Sequence, residues 1–121
     1  PWQNGLRPYK NIKEKIMSDV PVYMIANLEA NEDPSEYRKY EKGFFPILKK
    51  HGGSFITFDD NPKHMEGSEP RAGRMIIFQF PSEAAAEAWF NDPEYQSLSE
   101  HRRAGADTKS ITMVHAMPPR K

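Results

Sequence analysis

The 121-residue sequence contains no cysteine, which removes a disulfide framework, thiolate metal sites and thiol catalysis together. The absence accords with a reducing compartment, and a cytoplasmic location is expected. Net charge is missing as well, since 17 Lys and Arg balance 17 Asp and Glu. No overall field draws the chain toward nucleic acid or an anionic membrane, so neither is expected as a partner. No apolar run approaches the roughly 20 residues of a membrane span, and the first part of the chain lacks the apolar segment of a secretory signal. Glycine-rich phosphate loops, nucleophile elbows and paired-histidine metal motifs do not occur. With no three-ligand cluster in view, no metal and no organic cofactor is expected.

What is present suits one domain with a modest core. Residues 1–17 are mostly polar and read as an N-terminal arm: an expression remnant, a frayed extension, or an arm that docks Trp2, Leu6 and Tyr9 on a neighbour. Met17 could itself be a start. Residues 18–117 form the single domain, and residues 118–121 a polar tail. "VPVYMIANL" carries apolar side chains at both parities, predicting a strand with two apolar faces. In "NEDPSEYRKYEKGFFPILKKHGG", Asp33 as N-cap, Pro34 at the first helical position and Glu36 three residues after the cap predict a helix start. Tyr37, Tyr40, Phe44 and Leu48 recur at helical spacing, and Pro46 with Gly43 predicts a kink or break.

"SFITF" and "RMIIFQF" read as strands, separated by a polar loop in which a short strand around His64–Glu66 is one option. Ser82 then caps a helix through Trp89, and Asp92 with Pro93 starts a second helix whose Tyr95 and Leu98 face the core. "SITMVHAM" alternates as a last strand. The order strand, helix, strand, strand, helix pair, strand predicts an α+β, ferredoxin-like βαββαβ fold: an antiparallel sheet with helices on one face. One layer of helices covers one sheet face only, so a second copy of the chain is expected on the other, giving a homodimer of the dimeric α/β-barrel type.

"PVYMIAN", "EYRKYEKGFFPILKKHGG", Glu66–Gly67, "GRMIIFQFPSEAAAEAWF" and "DPEYQSL", in that order, resemble the family of domain of unknown function 1330, in the dimeric α/β-barrel superfamily. The resemblance runs from about Val20 to about Ala116. It implies a ferredoxin-like fold, a dimer whose sheets pack into a barrel with helices outside, and no established activity. Superfamily relatives include cofactor-free monooxygenases, muconolactone isomerases and haem-handling enzymes that use the cavity between helices and sheet; this is a likeness of fold, which does not fix function.

The candidate catalytic residues are His64, Glu66 and Arg74. His64 and Glu66 are two apart, so on an extended segment they share a side, as an acid/base pair or two ligands of a metal would need, though two ligands are too few for a metal site; Glu66 also falls in the family pattern. The plainer reading is a solvated hairpin. Arg74 could hold a carboxylate or phenolate, or bridge to Glu66 across the loop. The candidate ligand-binding residues are Asn27, Tyr37, Tyr40 and Trp89, against strand capping for the first and core packing for the aromatics. His51 reads as a helix C-terminal cap, and the side on which His115 lies is open. Two functions stand: a small domain that binds or transforms an aromatic or carboxylated metabolite without a cofactor, and a non-catalytic dimerisation or stress-related module with a filled core.

Overall fold

In the computed structural model, which describes residues 20–118, the chain runs β1 (Val22–Ala30), α1 (Ser35–Lys50), β2 (Ser54–Asp59), β3 (Arg74–Phe80), α2 (Glu83–Asn91), α3 (Pro93–Gly105) and β4 (Ala106–His115). The expected docking of Trp2, Leu6 and Tyr9 lies outside the described residues. The sheet order is β2-β3-β1-β4 with every neighbouring pair antiparallel. This is the predicted α+β, ferredoxin-like arrangement, with β1 and β3 central and the helices packed on one face.

Alternation along β1 selects that face. Val22, Met24, Ala26 and Leu28 are buried toward the helices, while Tyr23 and Ile25 between them are half-buried on the other side. Helix α1 meets the sheet through Tyr37, Tyr40, Phe44, Ile47 and Leu48, a stripe at helical spacing. Trp89 from α2 is completely buried, with Phe78 and Phe80 at ring-centroid distances of 5.3 Å and Tyr95 at 4.1 Å. Gly43 of α1 faces Leu98 of α3, where a Cβ would approach Leu98 Cδ1 to 2.7 Å. The missing side chain lets the two helices cross closely.

Four local expectations are corrected. Of the kink or break expected at Pro46, the break does not form: helix α1 is continuous through it. Lys42 and Pro46 are both exposed, while Phe44, Ile47 and Leu48 are buried and hold the helix to the core from its other side. Pro34, not Asp33, occupies the N-cap of α1; Asp33 instead accepts from the Ser35 amide at 3.0 Å, and Glu36 turns to Lys39 and His101. No strand forms around His64–Glu66, and β4 begins at Ala106, four residues ahead of the "SITMVHAM" alternation.

The two helix starts near the C-terminus are real and rest on side-chain caps. Ser82 Oγ accepts from the Ala85 amide at 3.1 Å, and Asp92 Oδ1 from the Glu94 amide at 2.8 Å. Asp92 is extended, as the residue before a proline should be, and this bends the chain between α2 and α3. Its Oδ2 also receives His51 Nε2 at 2.8 Å and Lys50 Nζ at 3.0 Å, tying the end of α1 to the start of α3. His51 therefore caps a neighbouring helix through its ring as well as closing its own.

These contacts, the His51 hydrogen bond foremost and Lys50 second, hold the Asp92 carboxyl well below its ordinary value. A carboxylate depressed in the folded state stabilises the fold above its unfolded pKa of about 3.9, and that contribution disappears as the pH falls through the lower folded value. Asp92→Asn is therefore expected to lower the melting temperature at pH 7, with the gap from wild type closing as the pH drops below about 4. Melting curves across that range check it; a gap independent of pH would contradict it.

On the sheet face away from the helices, Ile25 pairs with Ile77 of β3 and Thr112 of β4, and Tyr23 pairs with Gln79 and Val114. None of the described helices lies on this face.

Candidate functional site

Between the helices and the sheet lies a cavity of about 80 Å³. Its walls are Ala26, Leu28, Ile76, Phe78 and Ile111 from the sheet and Tyr37, Tyr40, Phe44, Trp89, Tyr95 and Arg102 from the helices. Phe45, Phe55 and Phe58 border it too: Phe45 and Phe58 are half-exposed, and the Phe55 ring lies 5.2 Å from Phe45 and 6.2 Å from Phe58. These rings form the mouth.

The buried end is polar. Tyr40 on α1 and Tyr95 on α3 join hydroxyl to hydroxyl at 2.7 Å. One O–H is used between them, and the other is free to donate elsewhere. Burial, reinforced by Tyr95, raises the Tyr40 hydroxyl well above the ordinary tyrosine value, so it stays protonated at neutral pH. Tyr37 is raised as well, again chiefly by burial. Arg102, in the last turn of α3, is 4% exposed. Its Nη1 donates to Thr108 Oγ1 at 2.7 Å, its guanidinium lies 5.7 Å from the Tyr40 ring centroid, and its Nε has no acceptor. None of the ion pairs among the described residues includes Arg102. The indole Nε1 of Trp89 is likewise buried without a partner.

Arg74 stands at the mouth, neutralised. Its Nε and Nη2 donate to Asp60 at 2.5 and 3.0 Å, its Nη1 donates to Glu41 at 3.0 Å, and its guanidinium lies 4.4 Å from the Phe58 ring centroid. The fork on Asp60 is bidentate, and it holds the Asp60 carboxyl below its ordinary value. Leu28, Tyr37, Glu41 and Arg74 also line an outer groove that includes Asp60 and Gly73. The arginine cluster thus forms part of the wall of both spaces.

Of the residues raised by sequence, Tyr37, Tyr40, Trp89 and Arg74 come together around the cavity. The expected bridge from Arg74 to Glu66 is not formed: β2–β3 pairing and the position of α1 deliver Asp60 and Glu41 instead. His64 and Glu66 sit on the exposed loop, where His64 Nε2 meets the Gly67 carbonyl oxygen at 2.7 Å, and neither lines the cavity or the groove. Asn27 is buried, but its amide donates to the carbonyls of Ala72 and Arg74 at 2.8 and 3.1 Å. It fastens the exit of the loop, whose backbone passes Gly73 at φ 79° with the Leu28 carbonyl against the space a Cβ would take. His115 Nε2 pairs with Glu83 at 2.6 Å. No group of three or more His, Asp or Glu side chains suited to a metal occurs among the described residues. No helix among them is long and apolar enough to cross a membrane.

Sequence reasoning passed over Arg102 and the mouth phenylalanines. A signal for Arg102 exists: Tyr95, Ser99 and Arg102 are all buried, at positions i, i+4 and i+7 of α3.

Comparison with solved structures returns the same fold at low identity. A protein of unknown function from Rhodopseudomonas palustris is 18% identical over 93% of this chain and 95% of its own, with a TM-score of 0.64. SnoaB, a cofactor-independent oxygenase from Streptomyces nogalater, is 11% identical over 83% of this chain and 96% of its own, with a TM-score of 0.58. A dimeric protein of unknown function with a ferredoxin-like fold from Bacteroides fragilis is 11% identical over 79% and 96%, with a TM-score of 0.57. No curated protein sequence matches. The family model for the domain of unknown function DUF1330 covers residues 21–117, and the chain belongs to that family.

Proposed function

We propose that the protein binds a small aromatic or carboxylated metabolite in the helix–sheet cavity, without a metal or organic cofactor, as a homodimer joined through its open sheet faces. The observation that carries this reading is the pairing of aromatic walls with buried polar groups from all three helices, Tyr40 with Tyr95 and the partnerless nitrogens of Trp89 and Arg102. Native interiors pair nearly all their buried polar atoms, and a bound molecule supplies missing partners. Tyr37, Tyr40 and Trp89 contact the ligand in this reading, Arg74 guards the mouth, and Asn27, His64 and Glu66 serve the loop. SnoaB, with the same fold, is a cofactor-independent oxygenase, which is in keeping with small-molecule chemistry on this scaffold. The dimer draws support from the uncovered apolar strip around Ile25 and Ile77 and from the dimeric Bacteroides fragilis neighbour.

Size limits the ligand. At about 80 Å³ the cavity is smaller than the ~150 Å³ cavities that accept benzene, so entry requires Phe45, Phe55 and Phe58 to swing outward and admits a single ring. The same small volume favours the second reading, a non-catalytic dimerisation module with a filled core. A thermal-shift series of single-ring and two-ring aromatic compounds separates them. Single-ring compounds should raise the melting temperature in a concentration-dependent way, by the linkage between binding and folding. No response to any compound supports the filled module.

A further inference from the structure

The fold treats its two cavity arginines oppositely. Arg74 has two carboxylates, whereas Arg102, far more buried, has one neutral hydroxyl and no anion. Leaving a guanidinium in that state is costly, because a buried charge is ordinarily paired. Thr108 occupies Nη1 and leaves the Nε edge without an acceptor. That edge is planar and matches the two oxygens of a carboxylate. Arg102 shares the cavity wall with apolar and aromatic side chains, Phe44, Phe78, Trp89 and Ile111 among them, which suit a ring and not a hydrated anion.

We infer that the ligand is a small planar aromatic monocarboxylate, its ring between the sheet and the aromatic helix faces and its carboxylate on Arg102. This rests on the cavity being the binding site and adds the ligand's charge and the residue that selects it. One unneutralised cation calls for one negative charge, and Glu41 at the mouth disfavours a second.

The test uses the full chain and three single-ring probes, benzoate, its near-isostere benzamide and the apolar toluene, titrated calorimetrically at pH 7. Benzoate should bind about tenfold to a hundredfold more tightly than benzamide, the range expected for a charge-assisted hydrogen bond. Arg102→Met keeps the length and removes the charge, so it should erase this preference while toluene still binds. The variant should melt no lower than wild type, since an unpaired buried cation is replaced by an apolar chain. Benzamide or toluene binding as tightly as benzoate to wild type would overturn the assignment to Arg102 and leave the cavity reading intact. A benzoate preference that persists in Arg102→Met would also overturn it. Failure of all three probes to bind would overturn the cavity reading along with it. Should Arg102→Met fail to fold, the wild-type ranking alone decides.

Discussion

Trp89→Ala is expected to remove about 3–5 kcal/mol of folding stability, the range for truncating a fully buried aromatic. Trp89 is 0% exposed and packs against Phe44, Phe78, Phe80 and Tyr95, so both α2 and α3 lose their shared contact with the sheet. Against a total of about 5–15 kcal/mol for an ordinary domain, the loss brings the variant near its unfolding threshold. Trp89→Phe is the informative companion. It gives up part of the volume but also deletes the indole N–H, which has no partner; removing an unpaired buried donor recovers about 1–3 kcal/mol. The phenylalanine variant should therefore lie closer to wild type than its lost volume alone implies. Denaturant titrations measure both, and an alanine variant within 1 kcal/mol of wild type, roughly the ordinary effect of a single substitution, would contradict a core centred on this residue.

The second large effect concerns assembly. Ile25 and Ile77 are direct cross-strand partners on the sheet face opposite the helices. In a sheet-on-sheet dimer, Ile77→Glu would place an unpaired charge in the interface from each subunit, at about 3–5 kcal/mol for each such charge. The dissociation constant should rise by a factor of about a hundred or more. The fold of each subunit should survive, because the side chain is only half-buried in the single chain. Sedimentation velocity over a micromolar concentration series reads the shift. A monomeric wild type, or an unchanged constant for the variant, contradicts this dimer.

The sequence made the architecture legible wherever periodicity is strong. Two-sided apolarity in "PVYMIAN" and "RMIIFQF" identifies the central strands β1 and β3, and the Tyr37, Tyr40, Phe44, Leu48 stripe identifies the buried face of α1. Ser82 and Asp92 are short-range caps, and short-range chemistry is readable from neighbours. Pro46 shows the limit of a local rule, since the break it predicts competes with the packing of Phe44, Ile47 and Leu48 on the core, and packing is a tertiary fact.

The site was less legible for the same reason. Glu66 is near Arg74 along the chain, but Asp60 is brought to it by strand pairing and Glu41 by the lie of α1. His64 and Glu66 share a side only on an extended strand, and that strand does not form. Arg102 stands beside Arg103 at a helix end, where two cations suggest favourable interaction with the helix dipole. Their phases differ: Arg103 is exposed, and Arg102 continues the buried line of Tyr95 and Ser99.

The space between helices and sheet is the proposed seat of an aromatic ligand. The most direct test of that seat is a benzoate titration followed by two-dimensional ¹H–¹⁵N NMR of the full chain. Saturable shifts are expected to concentrate at Tyr40, Phe44, Phe78, Trp89, Tyr95, Arg102 and Ile111, with the loop around His64 and Glu66 unmoved. No saturable shift, or shifts confined to that loop or to the open sheet face around Ile25 and Ile77, would contradict it.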